Sequence, residues 1–330
     1  MLMYLASLNP IALFRSCPGG IAQGLIWGIM ALGVFITFRM LNFADLTVDG
    51  SFATGGAVCI MLLLQGWNPE IALFFSFLAG VACGLVTGIF HTVFGIPDIL
   101  AGILTQISLW SINLVNILGK ANQAINAGTM KLRITSNFIY MPRTILILFI
   151  CCAVIVVIMY WYLGTEHGSA LRATGINPQM TRAQGINTDV MKVVGLALSN
   201  GLVALSGGML SQYQGFADIN MGRGAIVIGL AAVIIGEVIG MSIFGKRMNF
   251  MLRLSFVVAG SIIYYLVYVL VLWLKFPADE MKLLTAIVVA IFLAVPYLKG
   301  KSANSFGALA RRNAKLAKQK QNDGKEEGSC

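Results

Sequence analysis

Nine apolar stretches take up most of this chain, and none carries a lysine or arginine in its interior. They lie at about 20–38, 50–65, 70–95, 98–118, 144–163, 192–212, 224–244, 254–274 and 283–298. A helix that crosses the hydrocarbon of a bilayer needs about 20 mainly apolar residues, because its backbone groups must be paired within the segment. The pattern predicts an all-α polytopic membrane protein of about nine spans, within a range of eight to ten. Residues 1–14 are apolar but short and interrupted by Pro10, so they either lie at the interface or begin the first span. Composition agrees. Of 330 residues, 58% are hydrophobic and only 11% charged, against roughly 25% charged in a soluble domain. Too few charges exist to coat a water-facing surface, which excludes a soluble enzyme, a disordered chain and a DNA-binding domain.

The formal charge of +10 is unevenly spread, since eight basic and three acidic residues lie in 299–330. We expect residues 1–300 to form the membrane domain, with halves at about 20–163 and 192–298 joined by a polar loop at 164–191. Residues 301–330 read as a basic, disordered tail. An excess of Lys and Arg marks the cytoplasmic side, which puts the C-terminus in the cytoplasm near anionic lipid. The loop 245–253 supports that orientation and the loop 119–143 opposes it. The six cysteines make no CxxC pair and read as inert thiols. The start MLMYLASLNP has no basic segment ahead of its apolar run, so no cleaved signal peptide is expected.

Shifted by 173 residues, two stretches agree: Gly28, Ala31 and Leu32 with Gly201, Ala204 and Leu205, then Phe43-Ala44-Asp45 with Phe216-Ala217-Asp218, and Gly56 with Gly229. In each copy an apolar span runs into Phe-Ala-Asp, a glycine-containing break and a new apolar span. Five crossings separate the copies, an odd number, so they point in opposite directions. Broken helices at matching places in inverted repeats mark a transport pathway near the midplane.

Enzyme chemistry is hard to build. The two histidines, His91 and His167, lie far apart in sequence, and no catalytic triad, HExxH motif or metal-ligand cluster emerges. Gly240 to Lys246 resembles a phosphate-binding loop until Arg247, where Ser or Thr should hold magnesium. No metal and no bound cofactor are expected on this chain.

The stretch from Gly164 to Lys192 is polar yet patterned. Ser169 to Ala173 suits a short helix, Asn177-Pro178 a break, and Met180 to Gln184 a further turn ended by Gly185. A short helix on the membrane surface is a natural docking element for a soluble partner; a solvated interhelical loop is the plainer reading. Here Gly168-x-x-Leu171-Arg172-Ala173-x-Gly175-x-Asn177, followed by Ala183-x-Gly185-Ile186, resembles the coupling loop of bacterial ABC importer permeases of the branched-chain amino acid and ribose superfamily. Leu41-Asn42-Phe43-Ala44-Asp45 through Asp49-Gly50-Ser51 resembles that family's segment after the first helix, and Gly201 to Gly208 also fits. With Gly229 to Glu237, the pattern is most similar to the subgroup of tryptophan/tyrosine importer permeases. The resemblance covers about residues 20–298.

That resemblance implies a permease subunit in the bacterial cytoplasmic membrane, not itself an enzyme. It pairs with a second copy or close homologue, with two cytoplasmic ATPases that bind ATP and magnesium, and with an extracellular substrate-binding lipoprotein. Leu171, Arg172, Ala173, Gly175, Asn177, Arg182, Ala183, Gly185 and Ile186 would engage the ATPase. The cargo would be an amino acid, with aromatic side chains favoured; branched-chain amino acids, sugars and nucleosides are carried by related members. An ion-coupled secondary carrier would share the inverted repeat and the buried acids.

The candidate pathway residues are Asn42, Asp45, Thr47, Asp49, Ser51, Thr105, Gln106, Asn113, Asp218 and Glu237. Acids inside a membrane are costly and line cavities or pair with something. Asp45 or Asp49 meets a substrate ammonium on one reading. On the other, Asp49 caps the helix beginning at Gly50, and Asp45 and Asp218 satisfy broken backbone. Glu237 lies inside an apolar run, with Gln106, Asn113 or a second subunit as possible partners. Thr105, Gln106, Ser108, Asn113 and Asn116 form a polar stripe on the fourth span, expected to face the pathway or an interface.

Overall fold

A computed structural model describes residues 10–125, 141–245 and 249–273, with isolated helical positions at 283, 287, 290 and 294. Helix α1 (Pro10–Val34) continues as a π-helical end, Phe35–Met40. Next come α2 (Thr47–Leu64), α3 (Pro69–Thr92) and α4 (Asp98–Ile112), the last also with a π-helical end at Asn113–Leu118. A short strand β1 (Asn122–Ala124) precedes α5 (Met141–Gly164), α6 (Glu166–Ile176), α7 (Pro178–Ala183) and α8 (Thr188–Gln214). Strand β2 (Phe216–Asp218), α9 (Ala225–Phe244) and α10 (Phe250–Trp273) follow.

Among the described residues, eight helices are long and apolar enough to cross a membrane. They correspond to the first eight apolar stretches. The ninth, 283–298, falls almost wholly outside the described residues, as do the tail 301–330 and most of the loop 119–143. The helices outrun the apolar stretches, so Arg15, Arg39, Arg143, Lys192 and Arg253 sit within helices rather than in loops. All lie within about two turns of a helix end, where a long side chain can carry its charge to the interface. Pro10 begins α1 instead of interrupting it, because the first helical turn has no use for the missing N–H.

The bundle is built around α8. Its packing depends on small residues, because helices in lipid associate through close backbone approach rather than hydrophobic collapse. A Cβ on Gly55 or Gly207 would run into the backbone between α2 and α8, and one on Gly80 or Gly84 into the backbone between α3 and α8.

Side-chain bonds fix the helix directions. Ser199 Oγ donates to Gly33 O and Ser206 Oγ to Ile26 O, so α8 advances by seven residues as α1 recedes by seven. These helices are antiparallel. Ser51 meets Asn200 and Cys59 meets Gln212, so α2 runs with α8. Glycines 236 and 260 set α9 antiparallel to α10, and α10 is antiparallel to α1, because Gly20 faces Val269 while Gly28 faces Val258. Thus α9 runs with α1. The helices that follow the two breaks point in opposite directions, as the inverted repeat requires.

The breaks differ in form. After α1 the chain turns back through Leu41–Leu46 without regular structure. After α8 the second Phe-Ala-Asp forms a strand that pairs antiparallel with Asn122–Ala124. This short ladder was not legible in an all-helical pattern.

Candidate functional site

The first break is held by a buried polar knot. Thr47 N donates to Asp45 Oδ1 (2.9 Å) and Asn200 Nδ2 to Asp45 Oδ2 (2.7 Å). Ser51 Oγ donates in turn to Asn200 Oδ1 (2.7 Å). Asn200 is fully buried near the middle of α8, so α2 begins about halfway along the bundle. Beside the knot, the hydroxyls of Thr47, Thr87 and Thr105 form a chain across α2, α3 and α4, at 2.8 and 2.9 Å. Asp45, Thr47, Ser51 and Thr105 are therefore occupied in seating α2. Asp45, one residue before the N-cap position Leu46, accepts the first N–H of α2.

Asp49 does something the sequence did not suggest. It lies inside the first turn of α2 and does not cap that helix. Its carboxylate reaches the second break, where Oδ2 accepts from Gly224 N and Oδ1 from Ile226 N, each at 3.0 Å. Those N–H groups open α9. A carboxylate there satisfies unpaired donors and the positive end of the helix dipole. The amino ends of α2 and α9 thus meet inside the bundle, with an acid from one repeat closing the helix of the other.

Next to this junction lies a cavity of about 410 Å³, lined by Asp49, Gly50, Ala53, Gln106, Ile107, Trp110, Asn113, Ile219 and Arg223. The volume falls within the roughly 300–1,000 Å³ of small-molecule sites. Asn113 is 1% exposed. Its Nδ2 donates to Thr54 Oγ1 (3.0 Å), while its Oδ1 is buried without a hydrogen-bond partner. An acid, a guanidinium, two amides and an indole converge on one apolar-walled space. Sequence reading found Asp49, Gln106 and Asn113. It missed Trp110, which looked like any aromatic in an apolar helix, and Arg223, whose only signal was its place between Gly222 and Gly224.

The remaining candidates lie elsewhere. Asn42 is exposed, with φ of 52°, in the turn beneath α1. Asp218 accepts from Asn220 N (2.7 Å) and Asn122 Nδ2 (3.3 Å), tying β2 to β1. Glu237 does not pair with Gln106 or Asn113. Its Oε1 accepts from Arg39 Nε at 3.0 Å. Arg253 Nε lies 3.2 Å from the same oxygen, close enough for an ion pair but not aligned as a hydrogen bond. Among the described residues, no group of three or more His, Cys, Asp or Glu side chains is placed to hold a metal ion.

The polar loop is a helical hairpin. Thr165 caps α6 through Gly168 N, and Asn177 ends α6 and caps α7 through Met180 N. Gly185, with φ of 81°, terminates the hairpin. Arg182 bonds Thr188 Oγ1 (2.6 Å) and Asp189 (2.9 Å), fastening α7 to the start of α8. Leu171 is fully buried and faces Gly195, and a Cβ on Gly175 would strike the Met40 carbonyl. Arg172 stacks over the Phe250 ring at 5.5 Å. These residues seat the hairpin on the bundle, while Asn177, Arg182, Ala183 and Gly185 are exposed. The most exposed large apolar side chains at its tip are Ile176 (85%) and Met180 (63%), neither of which the sequence singled out.

Residues 18–295 match the family model described as branched-chain amino acid transport system / permease component. The chain belongs to this permease family. It is similar to a tyrosine transport system permease protein of Clostridioides difficile (strain R20291), with 37% identity over 294 residues, 89% of this chain and 93% of that one. An uncharacterized protein of Rickettsia prowazekii (strain Madrid E) is 30% identical over 56% of this chain and 63% of its own length. The galactofuranose transporter permease of Escherichia coli (strain K12) is 25% identical over 48% of this chain and 46% of its own. No solved structure matches the chain. As a member of this family the chain is a multi-pass membrane permease component of an ABC-type transporter, a transport subunit rather than an enzyme.

Proposed function

We propose that this permease carries an amino acid inward, with an aromatic side chain favoured, and that a separate ATPase drives it. The observation that carries the proposal is the hairpin. A rigid, capped α6–α7 pair is clamped to the bundle by buried contacts, yet it holds Ile176 and Met180 out in the open. Exposed apolar side chains on a rigid mount suit a groove on a partner protein. The partner is a cytoplasmic ATPase dimer, which binds ATP and magnesium. A second copy of the permease and an extracellular binding lipoprotein complete the assembly. The C-terminus lies in the cytoplasm of a bacterial cell.

The cavity supports the cargo. Arg223 suits a substrate carboxylate, Asp49 an ammonium, and Trp110 the face of an aromatic ring. The similarity to a tyrosine transport permease over nearly the whole chain favours the same class. A sugar reading draws on the galactofuranose relative, which aligns over about half of the chain.

Transport follows by alternating access. Closure of the ATPase pair moves the two hairpins, and the helices seated on them shift as rigid bodies about the α2–α9 junction. The test is uptake of labelled tyrosine, leucine and galactose into proteoliposomes holding the permease, its ATPase and its binding lipoprotein. Tyrosine uptake that requires ATP supports the proposal; uptake of galactose alone would redirect it to sugars.

A further inference from the structure

We infer, on the ATP-driven reading proposed above, that Glu237 is the positioning residue through which hairpin movement reaches the α2–α9 junction.

Four contacts place it there. Gly175 of α6 packs against the carbonyl of Met40 at the π-helical end of α1. Arg172 of the same helix stacks over Phe250, the first residue of α10. Arg39 is the neighbour of Met40, and Arg253 lies three residues beyond Phe250. Both guanidiniums converge on one oxygen of Glu237, at 3.0 and 3.2 Å. The hairpin therefore touches two helix ends, and both ends hold the same acid.

Glu237 belongs to α9, whose amino end Asp49 holds at the cavity. A helix transmits displacement along its axis as a stiff rod. Hairpin, α1 end, α10 start, Glu237, α9 and cavity thus form one connected body. The side chain of Glu237 is only 13% exposed, whereas those of Arg39 and Arg253 are 46% and 30% exposed. The more exposed arginines follow the hairpin, and the less exposed acid they hold carries their displacement into α9. Two cations share one carboxylate oxygen, so either arginine alone still leaves an ion pair at the joint.

The test measures molecules transported per ATP hydrolysed, a ratio that a purely structural role would leave unchanged. Proteoliposomes contain the full assembly with wild type, Glu237→Gln, Glu237→Asp, Arg39→Gln or Arg253→Gln. Glu237→Gln should keep ATP hydrolysis within about threefold and lower the ratio about tenfold, in the range usual for coupling between sites. Glu237→Asp should restore most of it. The single arginine variants keep one ion pair, and so the fold, and should each lower the ratio less. An unchanged ratio in Glu237→Gln, or in both arginine variants should Glu237→Gln not assemble, overturns the inference. If wild-type uptake ignores ATP altogether, the ATP-driven reading itself fails, and the inference with it.

Discussion

Asp49 and Gly224 are 175 residues apart in sequence, and the carboxylate of the first accepts the backbone N–H of the second at 3.0 Å. One bond thus joins the start of α2, in the first repeat, to the start of α9, in the second. The position 173 residues after Asp49 is Gly222, so the second repeat has no acid at the equivalent place. A Cβ there would strike the Asp49 carbonyl. The junction is asymmetric: one half supplies the acid and the other the space.

Asp49→Ala removes the cap from α9. Losing a side-chain cap costs about 1 kcal/mol, and the freed α9 donors sit beside the cavity. The thermal midpoint in detergent should fall by a few degrees, and uptake should fall further than stability does. Asp49→Asn keeps an acceptor and should retain most of the stability.

Asn200→Leu leaves Asp45 and Ser51 without the amide that joins them. A buried polar group left unpaired costs about 1–3 kcal/mol. Since Asp45 is buried, its loss of a partner places this change near the upper end. Asp45→Asn in the Asn200→Leu background should recover part of the midpoint, because a neutral amide is cheaper to bury than a carboxylate. Thermal scans of the two variants check the order.

Gly175→Ala drives a Cβ into the Met40 carbonyl and must lift α6 from the bundle. The spans do not depend on that contact, so helicity by circular dichroism should stay at wild type. Substrate-stimulated ATP hydrolysis should drop at least about fivefold, as when a coupling contact is lost.

Ile176→Glu and Met180→Glu alter side chains that are 85% and 63% exposed, so stability should hold within about 0.5 kcal/mol. Association with the ATPase should weaken about tenfold or more, because a buried charge without a partner is costly at an interface. Pull-down titration of the detergent-solubilised permease against its ATPase reads the change.

These residues show what could be read from sequence and what could not. The eight spans were legible because a lipid solvent imposes long uncharged runs, and the hairpin was legible because Asn177-Pro178 and Gly185 punctuate it locally. The bond from Thr47 N to Asp45 is also local, whereas the one from Asn200 comes from 155 residues away. Asp49 was visible as an acid at a helix start, but its partners lie across the repeat. Glu237 stood out in an apolar run, yet Arg39 and Arg253 were counted as loop residues. The helices extend past the apolar stretches and carry those arginines inward. Trp110 and Ile176 gave no signal, because an aromatic in a membrane helix and an isoleucine beside a turn become notable only once a cavity or a bare tip surrounds them.

The most direct measurement of the central claim is tyrosine uptake by proteoliposomes that contain the permease with and without its ATPase, under zero and imposed sodium and proton gradients. The account predicts uptake only with the ATPase and ATP, at a rate indifferent to the gradients. Uptake by the permease alone, driven by a gradient and blind to ATP, would contradict it.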